Sequence, residues 1–156
     1  MKMATPWKKE IINAPHSAVP STRVPSSAHA IRFGPLLFVT GQSGRRMTEP
    51  EYVDDPVRQA RQCLDNIGEI LKHAGTSYDN VLKRNIIVRD RAEYAVIRPV
   101  VDEYFVSPVA SSIIESGLLR DEHKILEIEV IACIPEQREG FEEIGDGLLA
   151  VSDADS

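Results

Sequence analysis

Two carboxylates on one short segment carry the first chemical suggestion in this sequence. In an extended chain alternate residues face opposite ways, so Leu126, Ile128, Val130, Ala132 and Ile134 make one apolar face. Ile125, Glu127, Glu129, Ile131 and Cys133 make the other. Carboxylates set among isoleucines and a cysteine do not suit a solvated face. They suit a face covered by another subunit. Glu127 and Glu129 are the two so placed, and an inter-subunit ion pair suits Glu129. Arg45 and Arg46 are either solvated loop residues or a grip for a second carboxylate. Ser111 and Ser112 have no His or Asp relay in sequence reach to make either a nucleophile. His16, His29, His73 and His123 lack metal-ligand spacing, and Cys63 and Cys133 read as packing thiols.

The elements that must position these groups are legible from pattern. Residues 13–28 hold Pro15, Pro20 and Pro25 among serines and read as a loop behind an N-terminal strand. His29–Phe33 and Leu36–Thr40 are strands joined at Gly34-Pro35. A polar loop runs from Gly41 to Asp55. Asp55-Pro56 starts a helix that Gly75 stops, with Val57, Ala60, Leu64, Ile67, Leu71 and Ala74 along one stripe. Val81–Val88 is a strand and Ala92–Phe105 a second helix, which either starts near Arg98 and Pro99 or kinks there. Val109–Ser116 and Lys124–Ile134 close the domain. The order β-β-α-β-α-β-β predicts an α+β fold with the helices on one sheet face.

Composition narrows the partners. The 156 residues hold 18 Lys+Arg against 24 Asp+Glu. Residues 136–156 contain seven of those acids and one base, so the whole net charge of −6 lies in the tail. A neutral body without a basic cluster lacks the footprint of a nucleic-acid binder. No apolar run approaches the ~20 residues of a membrane span and no signal-peptide pattern is visible, so the expected location is cytoplasmic.

Three segments in order, Leu36-Leu-Phe-Val-Thr-Gly-Gln42, Gln59-Ala-Arg-Gln-Cys-Leu-Asp-Asn-Ile67 and Leu126-Glu-Ile-Glu-Val-Ile-Ala132, resemble the Rid (reactive intermediate deaminase, YjgF) family. The resemblance covers about residues 29–134, leaving 1–28 as N-terminal strand and loop and 135–156 as an acidic tail. It implies a chorismate-mutase-like single domain with a mixed sheet and two helices on one face. It further implies a homotrimer with sites in clefts between subunits. The implied chemistry is hydrolysis of an enamine or imine of a small carboxylated metabolite, of the 2-imino-acid or 2-aminomuconate kind, without metal or other cofactor.

On that resemblance Glu127 is the water-directing acid, while Thr40 and Gln42 of the Thr-Gly-Gln run contact substrate. The family's carboxylate-gripping arginine lies in a Pro-Ala-Arg-Ser-like run. Here the run is Pro108-Val-Ala-Ser-Ser112, with Ser111 taken at the arginine's place and no bidentate cation available. The position of a family tyrosine falls on Ser27 and that of a site asparagine on Arg98, which is then the candidate replacement cation. Two functions follow: a deaminase with altered substrate recognition, or a non-catalytic trimeric binding protein that has lost deaminase activity.

Overall fold

The computed structural model describes residues 6–22, 24–47, 51–117, 119, 121–135, 141–144 and 148–151. In chain order the elements are β1 (Lys9–Ile12), β2 (Ala30–Phe33), β3 (Leu36–Ser43), α1 (Pro56–His73), a 3-10 turn at Tyr78–Asn80, β4 (Val81–Val88), α2 (Arg91–Tyr104), β5 (Ala110–Glu115) and β6 (Leu126–Cys133). Two short strands, β7 (Phe141–Ile144) and β8 (Leu148–Val151), pair with each other as a separate antiparallel ribbon. The acidic side chains of the tail lie outside the described residues.

The main sheet has the order β1-β2-β3-β6-β4-β5 and is mixed, because β4 and β5 run parallel while every other pair is antiparallel. A parallel pair needs a crossover, and α2 supplies it. Gly34 takes φ +59 between β2 and β3, a turn conformation that glycine enters without a Cβ penalty. Trp7 lies over that glycine and meets Phe33 edge to face, with ring centroids 5.8 Å apart.

The α+β class and the two-helix layer are as the pattern implies. Ala60, Leu64, Ile67 and Leu71 of α1 and Ile97, Val100 and Val101 of α2 are buried, together with Leu37, Ile86, Leu126, Ile128, Val130 and Ala132 from the sheet. Asp55 caps α1 by accepting from the Arg58 backbone N–H at 3.0 Å, and Asp90 caps α2 through Ala92. α2 therefore starts at Arg91, not near Pro99, and it is continuous through that proline. Proline lacks the N–H that the Ala95 carbonyl would accept from, and Ala95 sits on the exposed side, where water can satisfy that oxygen. Ile125 is also corrected: it is buried, not on the outer face.

The sheet surface away from the helices is unusually apolar. Strand register places Ile11, Ile31, Phe33, Phe38, Ile131, Cys133, Ile87 and Ile114 on it, with Glu127 and Glu129 among them. Ile11 is 67% exposed, Ile114 47%, and Phe33 and Phe38 43% each.

Candidate functional site

The site is built around an irregularity in β3. Val39 pairs with Val130 but Gln42 pairs with Ile128, so β3 holds one extra residue between them, at Thr40-Gly41. Such a bulge re-aims side chains next to it. The Thr40 hydroxyl donates to the Ala28 carbonyl at 2.6 Å and its N–H to the His29 carbonyl at 2.9 Å. Gln42 is turned inward, nearly buried, and donates to the Thr40 carbonyl at 3.0 Å. Ser43 then returns to the outer face opposite Glu127, its hydroxyl 3.0 Å from the Tyr52 hydroxyl.

Helix α1 holds the surrounding loops through polar residues on its buried side. Gln59, 1% exposed, donates to the carbonyls of Val53 and His123 at 2.8 Å each and accepts from the Ile125 N–H at 3.1 Å. One buried amide thus satisfies three backbone groups and ties the β3–α1 loop to the turn before β6. Asn66 donates to the carbonyls of Ser43 and Arg45, both at 3.2 Å. Cys63, between them on the helix face, donates to the Gln42 carbonyl; burial pushes its thiol well above the ordinary range, so it stays neutral.

On the opposite side the 13–29 segment is pinned by His29. The Ala14 N–H donates to Nδ1 at 3.0 Å, which leaves the proton on Nε2, 3.0 Å from the Pro20 carbonyl. A neutral imidazole bonded on both nitrogens serves as a clamp here, not a catalyst.

Between these walls lies a cavity of about 550 Å³, lined among others by Thr40, Gly41, Arg45, Tyr52, Lys124 and Glu127. The Glu127 carboxylate is 28% exposed and ion-paired with the Lys124 ammonium, which is 11% exposed. Its Oε1 lies against Gly41, where any Cβ would overlap it. Glu127 is therefore fixed by a cation on one oxygen and bare backbone on the other. That arrangement can hold a water against an electrophilic carbon in the cavity.

The structure brings Glu127, Thr40 and Gln42 together, along with Ser27. It does not bring Ser111 or Arg98 to them within one protomer. Arg98 stands on the exposed side of α2, 67% accessible, 3.7 Å from Asp102. Ser111 needs a correction. Counted from Pro108, the third residue of the run is Ala110, and register confirms the consequence: Ser111 pairs with Arg84 on the helix side of the sheet, where Arg84 Nε donates to its hydroxyl at 3.0 Å. Ala110 and Ser112 share the outer face with Lys83 and Asn85. Glu129 accepts from Asn85 at 2.6 Å, an intramolecular partner. Arg45 and Arg46 are half-buried, and both line a smaller cleft of about 240 Å³ beside the main cavity.

Sequence reasoning missed Lys124, Tyr52, Gln59 and Asn66. Gln59 and Asn66 left a signal: seven residues apart, they fall on the same helical face as Cys63 beside an otherwise apolar stripe, where a polar side chain must find a partner.

Among the described residues no helix is long and apolar enough to cross a membrane. Comparison with known proteins places this geometry in context. Residues 17–134 match the family described as Endoribonuclease L-PSP. Reactive Intermediate Deaminase A, chloroplastic, of Arabidopsis thaliana is 33% identical over 133 residues, covering 84% of this chain and 69% of that protein. A 2-iminobutanoate/2-iminopropanoate deaminase of Dermatophagoides farinae is 29% identical over 101 residues, covering 64% and 77% respectively. The crystal structure of a Yersinia pestis protein of unknown function from the conserved Rid family superposes with TM-score 0.75 at 28% identity, covering 81% of this chain and all of that one.

Proposed function

The chain belongs to the Rid family, and from that premise we propose that it hydrolyses the imine, or the enamine after tautomerisation, of a small carboxylated metabolite to the corresponding oxo compound and ammonia. Relatives named as 2-iminobutanoate/2-iminopropanoate deaminases support the reaction class. The observation that carries the reading here is the Glu127 carboxylate, held at the wall of a polar cavity between Lys124 and Gly41. In this reaction water adds to the carbon of the C=N bond and a base must take its proton. Glu127 takes it. Thr40 and the adjoining bulge backbone orient the substrate, and Gln42, turned inward, keeps the bulge in shape.

We further propose that three chains assemble through the outer sheet face, which would cover Phe38, Ile131 and Ile114. An exposed apolar surface of this extent is typical of an interface. Substrate recognition is altered from that of the named relatives, because Ala110 and Ser112 supply no guanidinium on the outer face of β5.

The same missing cation favours a second reading, a trimeric binding protein that consumes nothing. One experiment separates them. Imines are generated in situ by an amino acid oxidase and ammonia release is followed with and without protein. Acceleration that Glu127→Gln abolishes supports the deaminase. A carboxylate that raises the melting temperature, with no imine turned over faster than in buffer, supports the binding protein.

A further inference from the structure

Imine hydrolysis moves two protons, and Glu127 accounts for one. As water adds to carbon, the π pair passes to nitrogen, which must also be protonated. Lys124 is placed for that. It is 8% exposed, lines the same cavity as Glu127, and its ammonium contacts Glu127 Oε2, while Oε1 faces Gly41. Lysine in such surroundings is uncommon, since its charge must be paired. The position is built. Lys124 follows the turn that ends at His123 and stands two residues before β6; its N–H donates to the Asp121 carbonyl at 3.1 Å, the His123 N–H bonds Asp121 Oδ1 at 3.0 Å, and Gln59 holds Ile125 next to it. Because the turn precedes the regular strand, Lys124 is free of the strand alternation that would send it to the face opposite Glu127. Among the described residues the other charged or titratable side chains lining the cavity are His29, Arg45, Tyr52 and Asp121.

Resting on the reaction class above, we infer that Lys124 is a second catalytic residue, the general acid paired with Glu127 as general base. In the first step the carbon–oxygen bond forms, Glu127 takes a proton from water, and the imine nitrogen takes one from the Lys124 ammonium. This gives a neutral carbinolamine. In the second step the amino nitrogen takes the proton from the Glu127 carboxyl and leaves as ammonia. The hydroxyl proton goes to the Lys124 amine as the C=O bond closes. Both side chains end as they began, and the balance is imine plus water to oxo compound plus ammonia.

Lys124→Arg tests this directly. A guanidinium still pairs with Glu127 but does not give up its proton in proteins. The expected result is a fall in kcat of about a hundredfold or more, the scale of a lost general acid, with KM within about threefold of wild type. In Lys124→Ala, added methylammonium should restore rate and guanidinium ion should not. A Lys124→Arg enzyme within about tenfold of wild-type kcat, or equal rescue by guanidinium, would show that Lys124 only holds Glu127 in place, and would overturn the inference while leaving the deaminase intact. A wild-type protein inactive on every imine removes the reaction itself, an outcome seen before any variant is made.

Discussion

The Glu127 carboxylate rests on the α-carbon of Gly41, across the bulge that separates Val39 from Gln42. A strand without a bulge would place a side chain there. The pairing of a glycine with a carboxylate is thus what opens the floor of the cavity.

Gly41→Ala should therefore remove activity without unfolding the protein. The new Cβ meets only the Glu127 side chain, at Oε1, Cδ and Cγ, so the carboxylate swings aside and loosens its pairing with Lys124, and the stability lost is that of this ion pair rather than of the backbone. Gly44→Ala is the contrast. Its Cβ would lie 2.5 Å from the Gln59 backbone oxygen and 2.6 Å from Gln59 Cα, which cannot rotate away. Overpacking of that kind costs about 1–3 kcal/mol. Melting temperatures and ammonia release on the two variants check both statements.

Alkaline pH should reveal the packing between the helices. Tyr104 donates to Asp65 at 2.7 Å, and burial together with that carboxylate pushes its hydroxyl up to about 12. The neighbouring Tyr78 is pushed higher still by burial. A tyrosine whose folded value is raised contributes stability that is complete below its unfolded value near ~10 and is lost as pH rises through the folded one. Unfolding free energy should fall between about pH 10 and 12, and Tyr104→Phe should flatten part of that fall in denaturant titrations.

The outer sheet face makes a prediction about assembly. Light scattering should give three times the 17.3 kDa of one chain. Phe38→Glu puts a charge at the centre of the apolar face, opposite Ile131, and should yield monomers that remain folded, since Phe38 is 43% exposed in the single chain. Loss of ammonia release in those monomers would accompany a site shared between subunits; full activity would confine the site to one chain.

The sequence carried the fold further than the site for a physical reason. Element type follows from periodicity and caps, which are local, and Asp55-Pro56 and the β6 alternation are written in adjacent residues. The site depends on where three loops meet. Lys124 reaches Glu127 only because the strand has not yet begun, and Gln59 joins segments 64 positions apart in sequence. Neither fact has a local pattern. Ser111 shows the remaining weakness: a one-residue shift in register moves a side chain to the other face of a sheet.

That shift yields the sharpest test of recognition. Ser111 faces the helices and bonds Arg84, whose guanidinium also lies over the Phe105 ring at 4.5 Å. Ser111→Arg would set a second guanidinium beside the first on an exposed edge strand. Like-charge repulsion at this exposed position should cost at most about 1 kcal/mol, and the variant should add no activity. Ala110 points to the outer face beside Lys83, where space and an interface are at hand. Ala110→Arg should leave stability unchanged within about 0.5 kcal/mol, as an exposed substitution does. It should also raise turnover of 2-iminopropanoate, because a guanidinium grips a carboxylate with two parallel hydrogen bonds. Rates measured on both variants decide it: gain at Ala110 and none at Ser111 supports the register and the lost anchor together, and gain at Ser111 alone would refute both.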